Sequence, residues 1–417
     1  MRTATPHPAA ALLHGTAGET VHHGGRHAPS HPPRHAHETS RRRMPRLWHL
    51  ATEYLLALPL GVGIALIWAN TAPDSYFRTS GTLHFVVTDV GMVLFFGLLM
   101  KEVVEATVPG GVLHPWRRAA LPLIASLGLT LLPVLVYALV VPWLDEPRVL
   151  EGWPALFATD LAFGYFVARL IFGRHPVIPF FVVLAICANG LGLLALGFAG
   201  TSPGFHLGIG ATLMAVALAM AGMLRRMRVR SLWPYVLGAG GFSWCALYFG
   251  GLEPAFALVP VLPFVPHASR DPGFFVDAPV HARDPLNRFE LWMRHPAQLA
   301  LLLFGIVGAG VPLQALDWGT IGLPVTALLA KPVGLLLGVG VALALGLRLP
   351  ARVGWRDLLV VGFIASVGFT ISLFFATAAV GTGPTLSELK MGALLSISGA
   401  VVALAAAAVL RTGRFAR

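Results

Sequence analysis

From about residue 53 to the C-terminus, apolar stretches of roughly 20 residues recur with almost no charge inside them. About 20 residues is what a helix needs to cross the ~30 Å hydrocarbon core of a bilayer. Charged residues are 12 % of the chain, apolar ones 56 %, and the mean hydropathy is +0.73, whereas soluble domains carry about a quarter charged residues. A segment in lipid must satisfy its own backbone, and the ~10-residue alternating strands of a membrane barrel are absent. The chain therefore reads as an all-α polytopic membrane protein.

Twelve spans are expected, at about 53–70, 83–104, 119–142, 153–172, 177–198, 205–224, 233–249, 253–266, 294–314, 321–346, 356–380 and 388–410. The loops after the second, fourth, sixth and tenth hold Arg117/Arg118, Arg169/Arg174, Arg225/Arg226/Arg228/Arg230 and Arg348/Arg352/Arg356. Asp74, Asp145, Glu146, Glu151, Glu253, Asp317 and Glu388 lie on the opposite side. The positive-inside rule then puts both termini in the cytoplasm. The loop at about 267–293 is mixed in sign and decides nothing.

The net charge of +11 is not a nucleic-acid signature, because the arginines sit in short loops and at the termini and form no stripe interleaved with aromatics. Residues 1–48, rich in His, Arg, Pro, Gly and Ser, cannot bury a core and are read as a disordered cytoplasmic tail ahead of a membrane domain at 49–417. Nine of the sixteen histidines fall within the first 49 residues, without the spacing of a structural metal site. That tail has no continuous apolar run of the signal-peptide kind. Cys187 and Cys245, both in apolar segments, read as core residues rather than a disulfide or a metal pair. No Walker-type loop, GxSxG or HExxH occurs, so neither enzyme chemistry nor a cofactor is expected.

Polar residues inside the spans carry the functional signal. Asp160, in Ala158-Thr159-Asp160-Leu161-Ala162-Phe163-Gly164, is a carboxylate at membrane depth, which costs roughly 2.5–3.5 kcal/mol on insertion scales and so marks a pathway or a partner. Lys331, one of only three lysines, lies well inside the tenth span in Ala330-Lys331-Pro332-Val333-Gly334. An ammonium there needs a partner or gives up its proton, and Asp160 is the expected partner. The fifth span is interrupted by Ala188-Asn189-Gly190. The eleventh, Val361-Gly362-Phe363-Ile364-Ala365-Ser366-Val367-Gly368-Phe369-Thr370-Ile371-Ser372, has glycines and hydroxyls that permit unwinding. Interrupted helices in matching places of two halves point to a midplane site between inverted repeats. Spans three to five and ten to twelve are such halves, and Gly362, Ser366, Gly368 and Thr370 are the expected break or path residues.

At these residues the chain resembles the NhaA-type sodium/proton antiporters of bacteria. The similarity runs from Trp68-Ala69-Asn70 to the last span and is strongest at Ala158–Phe163, Ala330–Gly334 and Val361–Ser372. The resemblance implies twelve helices in two inverted repeats with discontinuous fourth and eleventh helices, the NhaA-like antiporter fold, and exchange of Na⁺ or Li⁺ for protons in the inner membrane. It also implies a homodimer. The family dimerises through a small hairpin, and the region around Thr71–Thr82 shows no clear strand alternation.

The departures fall at the chemistry. The family's adjacent aspartates in the fifth helix are Ala188-Asn189 here, and its Gly-Leu-Glu step in the second helix is Gly97-Leu98-Leu99, with Lys101 and Glu102 following. A family histidine near the eighth helix is Glu253, and an asparagine near the ninth is Gly308. If Asp160⁻ and Lys331⁺ already cancel, adding Na⁺ leaves a net positive charge in a poorly solvated interior. Antiport survives that arithmetic if Lys331 releases its proton as Na⁺ binds Asp160, with Asn189 and Thr159 as neutral ligands. Exchange is then one for one. Apart from that transported Na⁺, no metal is expected. The competing readings are a same-fold carrier of another solute and a membrane sensor that uses the His-rich tail.

Overall fold

The computed structural model describes residues 57–107, 116–141, 147–173, 175–199, 206–266, 285–312, 318–350, 352–380 and 383–415. The tail expected at 1–48 lies outside them. Every regular element among these residues is helical. In chain order, α1 is Ala57–Thr71, α2 Pro73–His84 and α3 Met92–Thr107, with a π-helical turn at Phe85–Gly91 joining α2 to α3. The sequence continues with α4 (Trp116–Val140), a 3-10 segment (Pro147–Leu156), α5 (Leu161–Phe172), α6 (Val177–Ala199) and α7 (Leu207–Arg226). A second π turn at Pro234–Ala239 leads into α8 (Gly240–Phe249). The last elements are α9 (Pro285–Gly308), α10 (Trp318–Ala344), α11 (Trp355–Ala365), α12 (Phe369–Ala379), α13 (Pro384–Leu395) and α14 (Ser398–Val409).

Six continuous helical stretches are long and apolar enough to cross a membrane, so the chain is a multi-pass membrane protein. Two further crossings are broken. The 3-10 segment and α5 meet at a 54° bend, and α11 and α12 meet at 49°, so both interruptions expected in the fourth and eleventh spans are present. Thr71–Thr82 falls at the end of α1 and within α2, in helical backbone.

Three expectations for the spans need correction. The fifth span, read as interrupted at Ala188-Asn189-Gly190, runs through those residues as unbroken helix α6, Val177–Ala199, since a lone glycine costs a helix only about 1 kcal/mol. The segment 253–266 is not a helix but two short 3-10 turns, Pro254–Phe256 and Leu262–Phe264. Pro254, Pro260, Pro263 and Pro266 remove four amide donors from fourteen residues, which leaves too few for an α-helical ladder. The ninth span begins at Pro285 rather than near 294. Leu286, Phe289, Met293, Ala297, Ala300 and Phe304 form one buried stripe at helical spacing through the stretch read as a mixed-sign loop.

Lipid tails supply no hydrophobic drive between helices, so close backbone packing holds a bundle together. The long pair α4 and α10 shows this at Gly128, where a methyl group would stand 2.9 Å from the Cα of Gly338. Around the breaks, Phe181, Leu184, Val360, Val361 and Ile364 are fully buried. Phe96 of α3 meets Phe374 of α12 and Phe256 edge-on, each at 4.6 Å between ring centres. That aromatic cluster fixes α3 against the second broken span.

Candidate functional site at the crossing of two broken helices

Each break leaves backbone groups without helical partners, and inside hydrocarbon each such group costs several kcal/mol unless something else pairs with it. The first break follows the 3-10 segment. After Phe157 the regular helix stops, and Asp160, in an extended conformation (φ −69°, ψ 108°), caps α5. The second break, Ser366 to Gly368, separates α11 from α12. The two cross in contact, because the Asp160 amide donates to the Val367 carbonyl at 2.8 Å.

Asp160 sits between two helix N-termini. Its Oδ1 accepts from the Phe163 amide of α5 at 2.9 Å and its Oδ2 from the Thr370 amide of α12 at 3.1 Å. Aspartate is a preferred N-cap because its oxygen satisfies an orphan donor, and its charge complements the positive end of the helix dipole. Here one carboxylate serves two such ends.

Lys331 occupies the opposite pole. Its ammonium donates to the Ala365 carbonyl at 3.0 Å and to the Ala158 carbonyl, the two ends of the leading segments. The residue is 1 % exposed. The expected ion pair with Asp160 is absent among the described residues. The carbonyl ends of two half-helices carry partial negative charge, and they supply the counter-charge that a carboxylate was expected to give. Pro332 follows directly, and Gly362 packs against it: a methyl there would lie 2.8 Å from the Pro332 Cβ.

Asn189 is also placed differently from the expectation of a neutral cation ligand. Its side chain closes a two-bond clamp on the backbone of Thr159, with Oδ1 accepting from the Thr159 amide at 2.9 Å and Nδ2 donating to its carbonyl at 2.8 Å. The Thr159 hydroxyl donates to the Ala365 carbonyl at 3.2 Å. Ser366 turns back on its own helix and donates to the Phe363 carbonyl at 2.7 Å. At Gly368 a methyl would lie 2.8 Å from the Ser372 Cβ in the first turn of α12 and 3.3 Å from the Ala158 carbonyl of the other break.

A cavity of about 110 Å³ reaches the carboxylate. A bound water needs at least about 10–15 Å³ on the same measure, so a small cation with part of its hydration shell fits. Asp160 and Thr370 line it together with Glu102, Glu290, Arg294 and Gln298. Glu102 thus brings a carboxylate to this wall although the Gly97-Leu98-Leu99 step lacks one. Beside it, Lys101 bonds Glu105 and Glu290 at 2.7 Å each and reaches Glu102 at 3.7 Å, which ties α3 to α9.

Sequence reasoning missed Glu290 and Arg294, although their i,i+4 spacing beside the stripe from Phe289 to Ala297 is a helical signal. It also missed Ser396, a hydroxyl between two apolar helices. Its Oγ accepts from the Gly368 and Phe369 amides at 3.2 and 2.9 Å and donates to the Ala393 carbonyl at 2.6 Å.

Residues 55–410 match the Na⁺/H⁺ antiporter 1 family. Among curated proteins, the chain is 36 % identical over 380 residues to Na⁺/H⁺ antiporter NhaA 1 of Pelobacter propionicus, covering 89 % of this chain and 100 % of that protein. It is 37 % identical to Na⁺/H⁺ antiporter NhaA of Desulfitobacterium hafniense, covering 86 % and 94 %, and 38 % identical to that of a Jannaschia species, covering 87 % and 97 %. In fold it is similar to the sodium proton antiporter MjNhaP1 from Methanocaldococcus jannaschii, with a TM-score of 0.56 at 16 % identity over 85 % of this chain and 90 % of that one.

Proposed function

The chain belongs to the Na⁺/H⁺ antiporter 1 family, and from that premise we propose that it exchanges Na⁺ or Li⁺ for protons across a bacterial inner membrane, with both termini in the cytoplasm. The observation that carries this reading is the placing of Asp160: one carboxylate, held by two helix N-termini, at the end of a cavity of about 110 Å³. The carboxylate accepts the Phe163 and Thr370 amides and also the Thr370 hydroxyl, a rotatable group that can turn its oxygen to a cation when one binds. Small hard cations take oxygen ligands, and the carboxylate, with the Thr370 hydroxyl beside it, offers them.

Charge balance sets the coupling. Lys331 engages two carbonyl ends and Asn189 engages Thr159, so Asp160 is the group on which cation and proton replace each other. A proton or a Na⁺ leaves that carboxyl equally neutral, and each cycle then trades one for one. This differs from the sequence argument, which took the exchanged proton from Lys331. In this reading Lys331 keeps its two carbonyl acceptors through the cycle. The reading involves secondary transport with no enzymatic step, and the bilayer is its setting. A homodimer, as the resemblance implies, is compatible with it.

The test is a transmembrane pH-gradient assay in everted vesicles of an antiporter-deficient bacterial host. Added Na⁺ or Li⁺ is expected to collapse the gradient in wild type and not in Asp160→Asn. No response from wild-type protein present in the membrane overturns the reading.

A further inference from the structure

Each of the two helix breaks is held by one neutral side chain from the span that follows it. Asn189, on α6, bonds both the amide and the carbonyl of Thr159, 30 residues earlier. Ser396, in the turn between α13 and α14, accepts from the amides of Gly368 and Phe369, 28 and 27 residues earlier. The two residues therefore stand in corresponding places of the two halves. Both are buried, at 3 % and 4 % exposure, and neither lines the cavity that reaches Asp160.

Their side-chain chemistry suits the two tasks. A carboxamide carries donor and acceptor together and can satisfy both backbone groups of one residue outside a helix. A hydroxyl has two lone pairs for two adjacent amides, and Ser396 uses its own proton on the Ala393 carbonyl. The consequence reaches the carboxylate by short routes. Clamping Thr159 sets the direction in which Asp160 leaves the backbone. Bonding the Gly368 and Phe369 amides sets the first turn of α12, whose Thr370 amide is a partner of Asp160 Oδ2.

We propose that Asn189 and Ser396 are a matched pair of positioning residues, splints that hold the two helix breaks so that Asp160 presents its carboxylate to the cation, and that Asn189 is not itself a cation ligand. This rests on the crossing being the transport site.

The test uses full-length protein in proteoliposomes, with Asn189→Ala, Ser396→Ala and Ser396→Thr. KM and Vmax are measured for Na⁺ and Li⁺, and amide hydrogen exchange is measured over the peptides containing Thr159 and Gly368–Phe369. Displacing a reacting group by ~1 Å costs up to about a hundredfold. Both alanine variants are expected to raise KM for Na⁺ and Li⁺ together, by about tenfold, with the ratio between the ions unchanged and faster exchange at the freed amides. Ser396→Thr restores wild-type KM. If Asn189→Ala does not fold, Asn189→Gln, which keeps the amide but displaces it, carries the same expectation. A change in Na⁺ over Li⁺ preference of about tenfold on removing Asn189 overturns the proposal, since loss of a ligand acts on ion size and geometry. So does unchanged KM together with unchanged amide exchange. If wild type shows no exchange of ions at all, the transport reading falls, and amide exchange alone then decides whether the splints exist.

Discussion

Lys331 Nζ donates to the carbonyl of Ala365 at 3.0 Å and so binds the end of a half-helix rather than the Asp160 carboxylate. With Ala158 as the second acceptor, one ammonium closes the carbonyl ends of both broken spans, as Asp160 closes their amide ends. The crossing is balanced pole by pole. A buried charge is tolerated when it is paired and hydrogen-bonded, and a pair of helix termini meets that need.

Replacing Lys331 with Met, similar in length and uncharged, leaves the Ala158 carbonyl without its partner and Ala365 with the Thr159 hydroxyl alone. A buried group that loses its hydrogen bond costs about 1–3 kcal/mol, so a loss of about that size is expected, read as a clear fall in the thermal midpoint in detergent. Lys331→Arg keeps the charge and recovers part of that stability.

Asp160→Asn separates charge from part of the capping. Asparagine keeps one acceptor oxygen and turns an NH2 group toward the other amide, so one of the Phe163 and Thr370 amides loses its partner and the thermal midpoint should fall by an amount equivalent to about 1–3 kcal/mol. Cation-driven proton movement is lost, because the amide neither carries a proton nor offsets a cation. Asp160→Ala loses both cap and transport.

How much of this was legible in the sequence depended on what kind of signal each residue gives. Asp160 and Lys331 stand out because an ionisable group in an apolar run is costly wherever it ends up, and Gly362 and Gly368 because they interrupt such a run. Which group Lys331 binds was not legible. Charge arithmetic pairs cations with carboxylates, whereas its acceptors are backbone carbonyls that gain partial charge only once the helices break. Asn189 drew notice as a substitute for a carboxylate, but its clamp on Thr159 depends on two segments meeting 30 residues apart. Ser396 is one hydroxyl among many. Glu290 was lost to the mixed signs of its neighbours, which masked the apolar stripe of α9.

Gly362→Ala tests the contact between α10 and α11. The added methyl meets the Pro332 Cβ at 2.8 Å, and neither backbone has a flexible side chain to move aside. Overpacking of this kind costs about 1–3 kcal/mol, and lower thermal stability with reduced transport is expected. Gly63→Ala, where nothing lies within 4 Å, is the neutral control.

Lys101 and Glu290 join α3 to α9 at 2.7 Å beside the cavity, with the lysine side chain only 4 % exposed. Removing one partner of a buried pair strands the other's charge and costs about 3–5 kcal/mol; the second acceptor, Glu105, offsets part of this for Glu290→Gln. A double-mutant cycle of Lys101→Met and Glu290→Gln, followed by thermal unfolding, is expected to return a coupling of at least ~1 kcal/mol.

The most direct measurement is proton flux in proteoliposomes whose membrane potential is clamped with valinomycin and K⁺. A potential of about 100 mV adds ~2.3 kcal/mol for each net charge moved. One-for-one exchange at Asp160 predicts that Na⁺-driven proton flux is the same at zero potential and at 100 mV, and that it stops when the proton and Na⁺ gradients are equal and parallel. Flux that rises or reverses with the imposed potential would show unequal numbers of protons and cations moving in each cycle. That result would contradict Asp160 as the single exchange group.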